Sequence, residues 1–258
     1  MRMVAGEVSD ENGEYVTPET LFVPYRKIYY FRSVENEPPI PFAAQILFQD
    51  EHIVVADKPH FLPVVPSGRF VQETLLVRLK RQLGIDTLSP AHRIDADTAG
   101  IVLFTIDPAS RDAYQRLFRE RSVEKRYEAI AIAGVGTRAS HDFPIVRRSR
   151  LVASDAFMQM HEVAGAENAE THIDLIARHG EFARYALRPL TGQKHQLRVH
   201  MAAIGLPIVN DRIYPELKPV SRLPDYDKPL QLLAKHLAFN DPISGEPRSF
   251  SSARTLQF

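Results

Sequence analysis

The chain contains no cysteine, and that one absence removes disulfides, thiolate nucleophiles, zinc ribbons and iron–sulfur clusters together. A reducing compartment suits such a composition, so a cytoplasmic protein is the expectation. No stretch approaches the roughly 18 consecutive apolar residues of a membrane span, and the opening MRMVAGEVSDENGEYV lacks the apolar segment of a signal peptide. No membrane partner is therefore expected. GxxxxGK[ST] and GxGxxG loops are missing, which leaves nucleotide-driven chemistry without its phosphate cradle. A GxSxG elbow is missing too, and with it the usual seat of a serine nucleophile. Finally, there is no net charge: 32 basic side chains balance 32 acidic ones, which argues against a simple polycation that binds nucleic acid through its total charge.

What is present is ordinary in bulk and uneven in detail. At 258 residues, 44% hydrophobic and 25% charged, the chain can bury a full core and has the composition of a folded enzyme-sized domain. The charge is polarised along it. Residues 1–60 carry 5 basic and 10 acidic side chains, whereas residues 110–150 carry 10 basic and 5 acidic. Screening confines surface charge to roughly 8 to 10 Å, so a local basic stripe can track a polyanion while the total stays neutral. A solvated arginine-rich helix face is the plainer explanation, and charge alone does not choose between them.

Residues 1–41 are acidic and end in Glu37-Pro38-Pro39-Ile40-Pro41, whose fixed backbone angles suit an extended connector. This segment reads as an N-terminal extension whose aromatic, β-prone middle, LFVPYRKIYYFRSV, is expected to fold back on a main body of residues 42–258; either Leu21, Phe22, Tyr29 and Phe31 pack there or the segment guides RNA. Ile46-Leu47-Phe48 and Ile53-Val54-Val55-Ala56 flank an Asp50-Glu51 break as a β-hairpin closed by Lys58-Pro59. In VQETLLVRLKRQLG, Leu75, Leu76, Leu79 and Leu83 share a helical face and Gly84 supplies a left-handed cap. A second helix is expected from Asp107-Pro108, burying Ala113, Tyr114, Leu117 and Phe118. SVEKRYEAIAIAG reads as a strand, and two more flank the turn at His179-Gly180, with Ala183, Tyr185 and Leu187 alternating inward. HQLRVHMAAIG returns to helical spacing, and the chain closes in β-like sequence with turns at Asp241-Pro242 and Ser244-Gly245. Strands dominate and no βαβ alternation appears. The expected class is α+β, with an extended mixed, mostly antiparallel sheet flanked by a few helices and loops.

SPAHRIDADTAGIVLFT, residues 89–105, crowds His92, Arg93, Asp95 and Asp97 in front of an apolar strand. Asp95 sits where loop meets core, and two roles are open to it: capping the Thr98-Ala99-Gly100 turn, or chemistry. Arg198 is anomalous as well, because a cation early in a helix opposes the macrodipole. A semi-buried carboxylate is the partner that would account for it. His195 and His200 are five residues apart and miss the i, i+4 spacing of a helical metal pair. His92, Asp95 and Asp97 lack a clear further ligand, so no metal site is expected.

These residues carry a resemblance. HRIDADTAGIVLFT resembles the HRLDxxTSG signature of the RluA family of RNA pseudouridine synthases. Four further segments resemble family blocks in the same order: ILFQDEHIVVADKPHFLPVVPSG, EKRYEAIAIAG, RPLTGQKHQLRVHMAAIGLPIVNDRIYP and the ending LAFNDPISGEPRSF. The resemblance implies an isomerase that detaches uracil from ribose within ribosomal or transfer RNA, turns it and rejoins it through carbon 5, without cofactor or metal. It makes Asp95 the catalytic aspartate, attacking the ribose or the uracil or acting as a base. Arg198 becomes its ion-pair partner and Tyr127 the aromatic against the target base. Arg93 matches the residue that enters the space left by the flipped nucleotide. His92, Lys125, Arg126, Lys194 and Leu197 join the expected RNA-binding set, and Lys58 is either a further RNA contact or a turn residue. Departures occur at His60-Phe61 in place of Ala-Gly, at Ala96, at Ala99 and at Gln193, beside which Lys194 could take over a phosphate contact. They bear on substrate choice and leave the reacting residues in place. No protein partner is implied, and a monomer is the expectation.

Overall fold

A computed structural model describes residues 2–30, 37–132, 142–155, 159–219 and 224–258. In chain order its elements are β1 (Val8–Asp10), β2 (Ile28–Tyr30), β3 (Gln45–Gln49), β4 (Ile53–Lys58), α1 (Leu75–Leu83), β5 (Ser89–Pro90), β6 (Ala99–Thr105), α2 (Arg111–Arg119), β7 (Glu124–Ile132), β8 (Ile145–Ala153), β9 (Met160–Val163), β10 (Ala169–His179), β11 (Phe182–Pro189), α3 (Gln196–Ala203), β12 (Leu232–Asn240) and β13 (Pro247–Ser251). Strands β1 and β2 form a small sheet of their own. The others build one sheet in the order β3-β4-β6-β12-β7-β11-β10-β8-β9, with β13 also beside β12 and β5 beside β6. Among the described residues only Leu233 and Ala234 of β12, opposite Ala99 and Gly100 of β6, pair in parallel. The protein is α+β with a mixed, largely antiparallel sheet.

The apolar runs of β4 and β6 are buried on both faces, and their two-residue period divides them between two cores. Val54, Ala56, Val102 and Phe104 meet Leu75 and Leu79 of α1 on one face. Ile53, Val55, Ile101 and Leu103 meet Tyr114 of α2 on the other. A third core joins Ala183, Tyr185 and Leu187 of β11 to Leu197 and Met201 of α3. Thr74 accepts the Val77 N–H to cap α1, and Gly84 ends it at φ 68°, as the sequence pattern requires. Helix α2 starts three residues later than its first proline suggests, because the Asp107 carboxylate takes the Ala109 N–H and spends that segment on a turn.

Leu21 and Phe22 are 86% and 88% exposed and Tyr29 is also exposed, so these side chains do not pack on the main body; Phe31 lies outside the described residues. The end of the segment is tied to the main body by Glu37, whose carboxylate accepts the N–H groups of Val71, Gln72 and Glu73, and by Ile40, buried in the α1 core. No described helix is long and apolar enough to cross a membrane.

Candidate active site

The loop between β5 and β6 is pinned from below before any of its side chains reaches the surface. Ala91 N–H bonds Leu103 O at 2.9 Å, and His92 Nε2 accepts the Leu103 N–H at 3.1 Å. The His92 ring stacks on Phe118 with centroids 4.4 Å apart. Burial, aided by Lys125, lowers its pKa to about 3, which keeps it neutral and able to accept that bond. From the end of β4, the Lys58 ammonium donates to Pro59 O at 2.9 Å, Leu62 O at 2.8 Å and Ala96 O at 2.8 Å. His60 Nδ1 donates to Asp97 O at 2.7 Å. The carbonyls of residues 96 and 97 are thus held by two side chains, and Asp95 immediately precedes them.

The Asp95 carboxylate does not cap its turn. The turn is closed by its backbone, Thr98 N–H to Asp95 O at 3.2 Å, while Oδ2 lies 3.2 Å from Arg198 Nη1. Arg198 is anchored behind it: Nε and Nη2 donate to Asp211 Oδ2 and Oδ1 at 2.8 and 2.7 Å. Asp211 in turn accepts the N–H groups of Ile213 and Tyr214. Exposure separates the three groups, at 2% for Arg198, 1% for Asp211 and 29% for Asp95. The paired interior is dry and the free end of the network opens on the cleft. Burial works against the Arg198 charge, but the hydrogen bonds and charge of Asp211, with Asp95 and Asp97 behind, outweigh it and raise its pKa. At Asp97 burial prevails: it raises the carboxyl pKa, against the pull of Arg198 and with the push of Asp95.

A cleft of about 1380 Å³ opens over Asp95, and Tyr127 and Arg198 line it together with Arg93, Lys125, Lys194 and Leu197. Tyr127 has its phenol pKa pushed up by burial and by Asp95. Lys125 bonds Thr191 O at 3.0 Å, and its pKa falls to about 8 through burial and the neighbouring Arg121. Nine arginines and lysines line the cleft against two aspartates, so a chain of zero net charge presents a basic cavity.

Two expected RNA contacts are placed elsewhere. Lys58 is fully buried with all three N–H groups given to carbonyls, so it holds the loop and does not face a ligand. Arg126 lies on the other face of β7 from Lys125 and Tyr127, where its Nε bonds Glu124 at 2.6 Å; the two-residue strand period forces that separation. His92 borders the cleft with one nitrogen committed to Leu103. No group of three His, Asp or Glu side chains suited to a metal occurs among the described residues. Sequence reasoning passed over Asp211 and weighed His195 only as a metal ligand. Asp211 signals itself only by the Asp-x-x-Tyr turn in NDRIYP, and His195 by nothing local.

Residues 52–203 match the RNA pseudouridylate synthase family. The chain is 32% identical over 224 residues to the dual-specificity RNA pseudouridine synthase RluA of Haemophilus influenzae, covering 85% of this chain and 97% of that relative. It is 33% identical over 181 residues to the mitochondrial tRNA pseudouridine(32) synthase of Saccharomyces cerevisiae, covering 69% of this chain and 39% of that one. Among solved structures, human RNA pseudouridylate synthase domain containing 4 aligns with a TM-score of 0.60 at 26% identity over 82% of this chain and 88% of its own. Human RNA pseudouridylate synthase domain containing 1 aligns with a TM-score of 0.66 at 20% identity over 84% and 86%. The class is that of isomerases converting uridine within RNA to pseudouridine. The chain belongs to their RluA family.

Proposed function

We propose that this enzyme isomerises particular uridines of transfer RNA, ribosomal RNA or both, with Asp95 as the reacting carboxylate. The observation that carries the reading is Arg198 bridging a buried Asp211 and a cleft-facing Asp95. Whether the carboxylate attacks the ribose or the base, or removes a proton, it must carry its charge out of bulk water, and a guanidinium 3.2 Å away meets that charge with its opposite. Uracil N1 leaves C1′, the ring turns, C5 joins C1′, and the C5 proton is replaced by one on N1. Tyr127 stacks on the turning base. Arg93, exposed at the mouth, enters the gap left by the flipped nucleotide, which offsets part of the few kcal/mol that unstacking costs. Lys125 and Lys194 contact phosphates. Residues 42–258 form the catalytic domain, acting as a cytoplasmic monomer, and residues 1–41 are accessory.

Two relatives support the substrate classes, one named for dual specificity and the other for position 32 of transfer RNA. The test is to incubate the protein with total RNA from cells lacking it and to map pseudouridine by nucleotide. The expected result is new pseudouridine at a few discrete uridines of transfer or ribosomal RNA. Modification confined to other RNA classes would overturn the substrate assignment, and no modification at all would overturn the whole reading.

A further inference from the structure

Asp95 has a second neighbour besides Arg198. His195 Nε2 lies 3.9 Å from Asp95 Oδ2, with the imidazole 4% exposed in the wall of the cleft. Its backbone, at the N-cap of α3, is left-handed with φ 55° and ψ 15°, a conformation a non-glycine residue rarely takes. The ring is fixed as firmly as the backbone. His195 Nδ1 is 3.0 Å from the Tyr214 hydroxyl, and the two rings meet edge-on at 5.7 Å. That hydroxyl oxygen already accepts the Met160 N–H at 2.8 Å. Its own hydrogen has Nδ1 within reach as an acceptor, and a bond given there leaves Nδ1 the bare nitrogen of a neutral imidazole. Burial lowers the His195 pKa against the pull of Asp95, which keeps the ring neutral. That arrangement puts the single ring proton on Nε2, the nitrogen that faces Asp95.

We propose that His195 is a positioning residue for the isomerisation: its Nε2–H, locked in place by Tyr214, closes onto Asp95 Oδ2 when RNA fills the cleft. Arg198 Nη1 addresses the same oxygen, so the two donors clamp Oδ2 and leave Oδ1 for the nucleotide. The separation of 3.9 Å is too long for a hydrogen bond in the free protein; such contacts commonly tighten in the substrate complex. The inference rests on Asp95 being the reacting carboxylate.

Three substitutions separate this role from a purely structural one. Glutamine can set an amide N–H where imidazole Nε2 stands. Asparagine reaches only the Nδ1 position, yet suits the left-handed backbone better. Phenylalanine fills the space and donates nothing. Single-turnover rate and RNA affinity are measured for each, with thermal melting to confirm folding. His195→Gln is expected to stay within about tenfold of wild type, and His195→Asn and His195→Phe to lose about 10²-fold in rate at unchanged affinity, the effect of a misplaced reacting group. Rescue by asparagine but not glutamine, or full turnover by His195→Phe, overturns the proposal. Asp95→Asn is assayed beside them: if it turns over, the assignment of Asp95 fails, and if it is inert while His195→Phe is fast, only the positioning role fails. Should the variants not fold, the nitrogen-15 spectrum of His195 in the wild-type protein decides: an Nε2–H tautomer supports the proposal and an Nδ1–H tautomer overturns it.

Discussion

Arg198 serves two carboxylates with unequal grip: two short bonds hold it to buried Asp211 and one longer bond reaches Asp95. The Asp211 pair is the structural half, and removing one member of a buried ion pair leaves the other uncompensated. Asp211→Ala is expected to lower unfolding free energy by about 3 kcal/mol or more and to cut turnover as the guanidinium shifts. Urea titration and the single-turnover rate check both, and a wild-type urea midpoint would contradict this. Three histidines with lowered pKa values set the acid limit. Burial lowers His92 to about 3 and His60 and His200 to about 4, against an unfolded value near 6.5. Between pH 6.5 and 4 the unfolded chain binds protons that the folded one refuses, so stability rises with pH across that window and is lost as pH falls through it. The urea midpoint should drop from pH 6.5 downward, before most carboxylates titrate; a flat midpoint to pH 4.5 would sink the assignment. Asp95 and Arg198 stand out in the sequence because each is locally misplaced, a charge against a strand and a cation against a dipole, but their roles and their pairing came from the family resemblance. Asp211 does not, since a carboxylate in a loop violates no local rule until the fold brings Arg198 to it.

At the scale of elements, the site depends on how β6 meets β12. Gly100 has φ +112°, and a Cβ there would stand 2.2 Å from Ala234 O. Backbone cannot yield as a flexible side chain can, so Gly100→Ala is expected to cost about 4 kcal/mol or more, read as a lost soluble yield or a lowered urea midpoint. A variant as stable as wild type would show that the seam tolerates displacement. Elements with strong period and caps could be read directly, such as α1 with Gly84 and β11 with Ala183, Tyr185 and Leu187. The failures share a cause, since long-range placement decided them. Lys58 looks like a surface turn residue until three carbonyls close around it. The aromatics of residues 21–30 look like core until they are found exposed. Arg126 is different: once Tyr127 was matched to the aromatic against the target base, strand alternation alone could have turned Arg126 away.

For the molecule as a whole, charge is arranged and not accumulated. Half of the ten basic side chains of residues 110–150 are paired with carboxylates, Arg116 and Arg119 with Asp112, Arg126 with Glu124, Arg147 with Glu162 and Arg148 with Glu170. Of that segment Arg119, Arg121 and Lys125 line the cleft, and the rest of its basic lining is gathered from distant segments, among them Arg93, Lys194, Arg212 and Lys218. Binding to RNA should therefore depend steeply on salt despite zero net charge. If about five of these groups meet phosphates, log K against log salt falls with a slope near −3.5 for single-stranded contacts; a flat dependence would deny the cleft its role. The central claim is that Asp95, clamped at the floor of this cleft, performs the chemistry. Its most direct test is pseudouridine mapping on unmodified cellular RNA treated with wild-type protein or with Asp95→Asn at matched RNA affinity. Discrete new sites with the wild type and a rate at least about 10³-fold lower with the variant is the predicted result; the same sites formed at the same rate by both would contradict it.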